Sequence, residues 1–261
     1  ESLVMPEVFG ATLAKEHEPS KVPPFVDAVF GAVQTTLASP PSAPLLHTLW
    51  GLFVPPVVGS GAASGSAGVS LANDVRKARA GMAKAKSWAD ALKGKSPVVL
   101  SLLFVQYLDE LATPLIPYEV ATAVLSAGGA DHAPLLTRMH PVHQTVLAQL
   151  VLLLQSLVAS LDAVAGWAKS MVGRKTKARS SRIKARTAEL AARVDAETSA
   201  YRLATALGSH LFRLSPHPES LAGKARSAAT AVIRQWLTGA DNATFSAMAS
   251  AAVNALATWK E

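Results

Sequence analysis

The strongest apolar pattern in the chain lies in residues 98–117, VVLSLLFVQYLDELATPLIP. Ten of its first fourteen residues are strongly apolar and cover nearly every face of a helix. Pro97 precedes the run, where the first helical turn accepts proline, and Pro114 and Pro117 follow it. A helix that is apolar all round belongs inside a domain. The pattern therefore predicts an internal helix around which other helices pack.

Further helical patterns predict an all-α chain. Apolar residues recur at helical spacing after Val22–Pro23, and residues 243–259 form an alanine-rich terminal pattern. Residues 142–168 are rich in Leu, Val and Ala, but glutamines and Asp162 interrupt them. No uninterrupted apolar run reaches the roughly 18–20 residues that cross a bilayer. This segment is predicted to be a buried helix of a bundle.

The segment between the first two helical patterns is predicted to be a loop. Residues 39–70, SPPSAPLLHTLWGLFVPPVVGSGAASGSAGVS, begin with prolines and end in Gly, Ala and Ser. The glycine-rich part lacks the G-K-[ST] signature of a phosphate-binding loop. Residues 73–95 then predict a helix that is capped by Asn73 or Asp74 and ends near Gly94.

Composition narrows the functional classes. Hydrophobic residues make up 50% and aromatic residues 6%, a mixture that favours helix over strand. The chain has no cysteine, which excludes disulfides and thiolate chemistry. The net charge of +7 suits an acidic partner. The chain opens at Glu1 without a methionine or signal-peptide pattern, which predicts a domain of a longer cytoplasmic protein.

Three histidines are candidate metal ligands. His140 and His143 lie three residues apart, but no third ligand has a suitable spacing, and His132 stands alone. Surface or helix-capping histidines are the simpler interpretation. No metal and no cofactor are predicted.

A basic tract lies within an insert at residues 165–200. It holds seven cations and no acid: Arg174, Lys175, Lys177, Arg179, Arg182, Lys184 and Arg186. Such a tract fits either a solvated helix or loop or a contact with an anionic membrane surface. Nucleic acid is disfavoured because no aromatic residue interleaves the charges.

Several motifs resemble Rho-type GTPase-activating (RhoGAP) domains. LDELATPLIPYE at residues 108–119 is similar to their L-R-E-L-P-E-P-L-I segment. The opening with Phe9–Gly10 and Val22–Pro23, and the segment at residues 201–218, match the family in the same order. ATALGSHLFRLSPHP in that last segment also resembles the RhoGAP-like domain of OCRL-type inositol polyphosphate 5-phosphatases.

The resemblance implies a RhoGAP-like helical bundle over residues 1–240. Within it lie a low-complexity loop at 55–72 and the basic insert at 165–200, and residues 241–261 follow as a C-terminal alanine-rich helix.

The departures from the family fall on its polar functional positions. The resemblance places the catalytic arginine finger at Val54, and no arginine precedes Arg76 in the chain. Where the family motif has a lysine and an arginine, this chain has Val105 and Asp109. Where the family has the first asparagine of its N-x-L-A segment and a partner-binding asparagine, this chain has Arg202 and His210.

These changes predict a degenerate, catalytically impaired RhoGAP domain. Its partner would be a small GTPase of the Rho, Rac or Cdc42 type, or an adaptor. The predicted binding face consists of Phe53, Val54, Lys93, Lys95, Val105, Asp109 and His210.

Two alternatives remain open. One is an active GTPase activator in which Arg76 or Arg79 serves as a displaced arginine finger. That arginine would have to reach the loop at residues 51–57. The other is a membrane-peripheral or scaffold element that acts through the basic tract.

Overall fold

The computed structural model describes residues 22–55, 65–82, 88–128, 131–171, 181–213, 219–239 and 242–258. In these ranges the regular secondary structure is entirely helical, which confirms the predicted all-α class. The helices are α1 (Pro24–Leu37), α2 (Ala43–Gly51), α3 (Gly65–Met82), α4 (Trp88–Leu92), α5 (Pro97–Glu110), α6 (Tyr118–Ala127), α7 (Ala133–Leu136), α8 (Pro141–Met171), α9 (Ser181–Arg193), α10 (Ala196–Leu211), α11 (Glu219–Leu237) and α12 (Asn242–Thr258).

α8 is the longest helix, and its apolar face is covered by other helices. It packs against α1, α2, α9, α10, α11 and α12. By length and composition alone α8 could cross a membrane, but 56% of its most apolar window is buried inside the bundle. Core helices of soluble proteins pass the same length test, and the packing of α8 agrees with the predicted buried bundle helix.

α5 is another helix of the core. The Ser96 hydroxyl accepts a hydrogen bond from the Val99 amide at 3.3 Å, and Pro97 occupies the first turn, so the helix starts where the sequence predicts. Phe104 makes edge contacts with Phe30 of α1 and with Phe53. Most of α5 is buried, which confirms the predicted internal helix.

The predicted loop at residues 39–70 is wrong in part, because α2 lies within it. The Ser42 hydroxyl accepts from the Leu45 amide at 3.2 Å and caps α2, and Pro44 lies in its first turn. Proline is compatible with a first turn, because the amides there have no partner inside the helix. Leu46 and Leu49 then bury the apolar face of the helix.

α3 also corrects the prediction, since it begins at Gly65 rather than after Asn73 or Asp74. The predicted low-complexity loop at 55–72 is therefore helical from Gly65 onward. α3 packs against α5, and its buried residues Val75, Ala78 and Met82 lie at helical spacing. Helix formation here depends on this packed face, which lies downstream of the Gly/Ser-rich part.

In the described part of the basic insert at 165–200, every residue except Val194 and Asp195 is helical. α8 continues to Met171, α9 packs against α8 and α2, and α10 begins at Ala196. Asp195 caps α10 by accepting from the Thr198 amide at 2.7 Å. That bond, and a second one from the Thr198 hydroxyl, hold the pKa of Asp195 below its ordinary value.

Candidate functional site

Two predicted site residues meet at the C-terminal end of α5. Nδ1 of His210, on α10, donates to Oδ1 of Asp109 across 2.6 Å. The side chains are 20% and 47% exposed, so the pair lies at the surface. Both residues stand at positions where the RhoGAP resemblance expects other polar groups, and here they bind each other.

An ion pair lies at the next residue of α5, Glu110. Arg79 of α3 forms a bidentate pair with Glu110, with both N–O distances at 2.6 Å. Bidentate geometry fixes the guanidinium more firmly than a single contact does. The pair joins α3 to the last residue of α5.

Arg213 completes the end of α5. Its guanidinium donates to the carbonyl oxygens of Leu111 at 2.5 Å and Leu108 at 3.2 Å. Carbonyl groups at a helix C-terminus have no partner inside the helix, and a cation there also interacts favourably with the helix dipole. We call Arg79, Asp109, Glu110, His210 and Arg213 the α5 terminal cluster.

The segment after α2 has an unusual backbone. Phe53 has a φ of 59°, the left-handed region that bulky residues seldom adopt. Its amide donates to the Ser101 hydroxyl of α5 at 3.0 Å, and that hydroxyl donates to the Val98 carbonyl at 2.9 Å. These bonds and the burial of the Phe53 ring hold the strained conformation.

Arg202 of α10 contacts the last turn of α2, just before this segment. Its guanidinium donates to the Trp50 carbonyl and stacks over the Trp50 ring, 4.0 Å from the centroid. Burial lowers the pKa of Arg202 to about 10. The side chain remains cationic at neutral pH and fixes the end of α2 to α10.

Two residues of the predicted binding face are buried, so the prediction is wrong for them. Phe53 is 0% exposed and Val105 is 3% exposed, so neither can contact a partner in this conformation. Both pack against the aromatic core around α5, which explains why the chain has apolar residues there. Val54, which follows Phe53, is half-buried against the same core.

The remaining predicted residues do not form one compact face. Lys93 and Lys95 are exposed and precede the first turn of α5, whereas Asp109 lies at its other end. α5 has 14 residues. At about 1.5 Å per residue, roughly 20 Å separates these positions. The structure brings Asp109 and His210 together and leaves the lysines apart from them.

The displaced-finger alternative depended on Arg76 or Arg79. Arg76 donates to Asn73 of its own helix at 3.3 Å, and Arg79 is held by Glu110. For Arg79 to serve as a finger, it would have to leave Glu110. Arg202, on a different helix, contacts Trp50 in the last turn of α2.

The basic tract lies largely outside the described residues. Arg174, Lys175, Lys177 and Arg179 fall in the range 172–180, and only the backbone is described at Arg182 and Lys184. Arg186 is exposed on α9. Contact with an anionic surface stays a prediction.

The three histidines have structural partners. The Trp236 indole donates to Nδ1 of His132 at 3.2 Å, and Nε2 of His132 donates to the Gly128 carbonyl at 2.9 Å. His143 donates from Nδ1 to the Leu115 carbonyl at 2.8 Å. His132 and His143 are buried, so the surface interpretation is wrong for them. His132 nevertheless stands at the N-cap position of α7.

His140 does cap a helix, because its Nδ1 accepts from the Val142 amide at 3.3 Å in the first turn of α8. In the described ranges, no three His, Asp or Glu side chains lie together as a metal site would require.

The sequence interpretation missed the roles of Trp50 and Arg213, and noted Arg202 only as a departure from the family. One signal was present for Arg202: it lies three residues after buried Ser199 and one before buried Leu203, at the edge of the buried face of α10. Nothing local in the sequence indicates that Trp50 is its partner.

Comparisons with protein-family models, with curated proteins and with solved structures found no match to this chain. The RhoGAP resemblance therefore depends on the motifs alone.

Proposed function

We propose that this chain is a RhoGAP-like interaction module that binds a small GTPase of the Rho, Rac or Cdc42 type, or an adaptor protein, without accelerating GTP hydrolysis. The observation that supports this most directly is the segment after α2. Val54 stands at the position that the resemblance gives to the arginine finger, and Arg202, which lies against the last turn of α2, is bound to Trp50.

The size of the arginine contribution supports the loss of catalysis. An arginine finger increases the rate of hydrolysis by about 10³–10⁵ because it stabilises charge on the transferring phosphoryl group. That range corresponds to about 4–7 kcal/mol of transition-state stabilisation. Valine has no donor or charge that could supply it. Arg202 would have to leave the Trp50 carbonyl and ring before it could reach a nucleotide.

The α5 terminal cluster is the surface that we propose for partner binding. Asp109 and His210 are both partly exposed, and the pair Arg79–Glu110 lies beside them. Four charged or titratable side chains in fixed geometry can orient a partner with complementary charges. Phe53 and Val105 are buried in the core, so in this proposal they support α5 rather than touch the partner.

The active-activator alternative carries an energetic cost. For Arg79 to act as a finger, it would have to break its bidentate pair with Glu110.

We also propose that the chain is cytoplasmic. A second candidate role is contact with a membrane surface through the basic tract.

The deciding experiment measures GTP hydrolysis by Rho, Rac and Cdc42 proteins with and without this chain, together with pull-down of each GTPase in its GTP- and GDP-bound forms. We expect binding without acceleration. Acceleration that disappears in Arg79→Ala or Arg76→Ala would contradict the impaired-module proposal. Absence of binding to every GTPase would exclude a Rho-type partner.

Variants of the cluster locate the binding surface. Asp109→Asn and His210→Ala should each weaken GTPase binding by about threefold to tenfold, the range expected for partly exposed charged contacts. Asp162→Asn is the matched control, because it removes an exposed acid from α8, a helix that contributes no residue to the cluster. Equal binding by all three variants would exclude the cluster as the contact surface.

A further inference from the structure

A groove between α1 and α8 has no role in the proposed function. Its cavity volume is about 650 Å³. α1 contributes Asp27, Gly31 and Gln34 at helical spacing, and α8 contributes Gln149 and Leu152. No residue of the α5 terminal cluster lines it.

The floor of the groove is apolar and its edges are open. Phe30 and Leu153 are buried beneath it, and Leu37 and Leu152 are half-buried. A Cβ added at Gly31 would have no heavy atom within 4 Å, so the groove is unobstructed at the middle of α1. The α1 wall runs for about three helical turns, or roughly 16 Å. Apolar area of this length between two helices suits the side chains of a third helix.

Three polar side chains line the groove and have no partner among the residues that the structure describes. Within the described residues, Asp27, Gln34 and Gln149 form no side-chain hydrogen bond or ion pair. Partial burial raises the pKa of Asp27 above its ordinary value. Among the described lining residues, Asp27 is the one acid and there is no base. A cation on the bound partner would therefore meet a complementary charge.

We propose that this groove binds an amphipathic helix of a partner protein, which packs leucine-type side chains on Phe30, Leu152 and Leu153 and places a lysine or arginine beside Asp27. Gln34 and Gln149 would bind polar groups along the edges of that helix. A helix is favoured over an enclosed small molecule because five of the lining residues, Asp27, Gly31, Gln34, Ala38 and Ser156, are exposed along an open trough.

The test uses two synthetic peptides of about 12 residues, or roughly three helical turns. Both have leucines along one face; one has a single lysine at the edge of that face, and the other has glutamate in its place. Amide chemical shifts of the full chain are followed during titration with each peptide. We expect shifts at Asp27, Gly31 and Gln149, and an affinity about threefold to tenfold higher for the lysine peptide.

Two variants test the charge and the shape separately. Asp27→Asn should reduce the preference for lysine to less than about twofold. Gly31→Leu should weaken both peptides by at least about tenfold, because the new side chain occupies the trough. Removing a glycine from the middle of a helix favours folding, so Gly31→Leu should remain folded. Asp162→Asn, which removes an exposed acid of α8 outside the groove, should behave like the parent chain.

Three results would overturn the proposal. The first is no shift in groove residues at millimolar peptide concentration. The second is an unchanged lysine preference in Asp27→Asn. The third is binding of octylammonium at the groove while both peptides fail to bind, which would assign the groove to small cationic amphiphiles. Because the groove and the α5 terminal cluster share no residue, none of these results bears on the GTPase proposal.

Discussion

Arg202 stacks on Trp50 and also donates a hydrogen bond to the carbonyl of that residue, across 152 positions of sequence. The two contacts fix the last turn of α2 against α10. The chain leaves α2 there and enters the strained conformation at Phe53. Arg202 therefore anchors the helix end from which the chain leads to Val54.

Replacing Arg202 should therefore lower stability. Arg202→Ala removes a partly buried cation–π contact and a charged hydrogen bond, and we expect a loss of about 1–3 kcal/mol in the free energy of unfolding. Arg202→Lys should recover only part of it, because an ammonium lacks the planar face that stacks on indole. Urea denaturation measures both.

Arg226→Ala is the matched control for Arg202. Arg226 is exposed on α11, and its removal should change stability by less than about 0.5 kcal/mol. Equal losses in the Arg202 and Arg226 variants would contradict a specific contribution from the Trp50 contact.

A second coupling links α11 to the turn before α7. Trp236 is buried between Phe212 and Phe245, and its indole donates to His132. Trp236→Phe leaves Nδ1 of His132 without its donor and shrinks the ring, so we expect a loss of about 2–3 kcal/mol.

A double-mutant cycle isolates the hydrogen bond between Trp236 and His132. His132→Leu should cost less in the Trp236→Phe background than in the parent chain, by about 1 kcal/mol. Additive losses would mean that the two side chains contribute independently.

His143 predicts a dependence of stability on pH. Burial lowers its pKa below the ordinary value of 6.5, with an opposing contribution from the bond to Leu115 and a smaller lowering by His140. In the window between the lowered pKa and 6.5, the unfolded chain binds more protons than the folded chain. The free energy of unfolding should thus be fully retained above the ordinary pKa and should fall as the pH drops through the lowered value, by at most about 1.4 kcal/mol per pH unit.

His143→Gln tests that dependence, since glutamine keeps a donor for the Leu115 carbonyl but does not titrate. The difference between parent and variant in the free energy of unfolding should shrink as the pH falls below 6.5. His47→Gln is the control, because His47 is exposed on α2. A difference that stays constant with pH would contradict the assignment to His143.

Two glycines provide a contrasting pair. At both Gly31 and Gly94 an added Cβ would have no heavy atom within 4 Å, but only Gly94 has a positive φ, of 71°. Gly31→Ala should stabilise the chain by about 0.5–1 kcal/mol, because it replaces a glycine in the middle of a helix. Gly94→Ala should destabilise it by about 1 kcal/mol, because alanine disfavours left-handed backbone. Thermal unfolding of both variants checks the opposite signs.

The sequence predicted the parts of the fold that depend on local pattern. Helix α5 follows from its apolar run and from Pro97, and Gly94 was placed correctly near the end of a helical segment. Helix α2 was missed because its flanking prolines are equally typical of loops. What distinguishes it is the Ser42 cap together with burial of Leu46 against distant helices, and sequence pattern gives no information on that burial.

The candidate site was predictable only in part. Asp109 and His210 were identified from the RhoGAP resemblance, but their contact joins positions 101 residues apart. Phe53 and Val105 were assigned to a surface because alignment gives a position in a family and not its exposure. Arg202 was recorded as a departure, while its partner Trp50 could be found only from the folded chain.

The last prediction concerns an arginine introduced at the finger position. If Val54 stands at the finger position, Val54→Arg should accelerate GTP hydrolysis by a bound Rho-type GTPase. Val54 is half-buried, and an arginine there can extend its guanidinium toward solvent while its methylene groups keep part of the apolar contact. A correctly aligned finger contributes about 10³–10⁵ in rate. The other polar positions also differ from the family, so we expect an acceleration of at least about tenfold rather than the full range.

Val54→Leu controls for side-chain size and should give no acceleration. Single-turnover hydrolysis at saturating chain, with binding measured separately, distinguishes the outcomes. Unchanged binding with no acceleration in Val54→Arg would mean that the segment after α2 does not face the nucleotide.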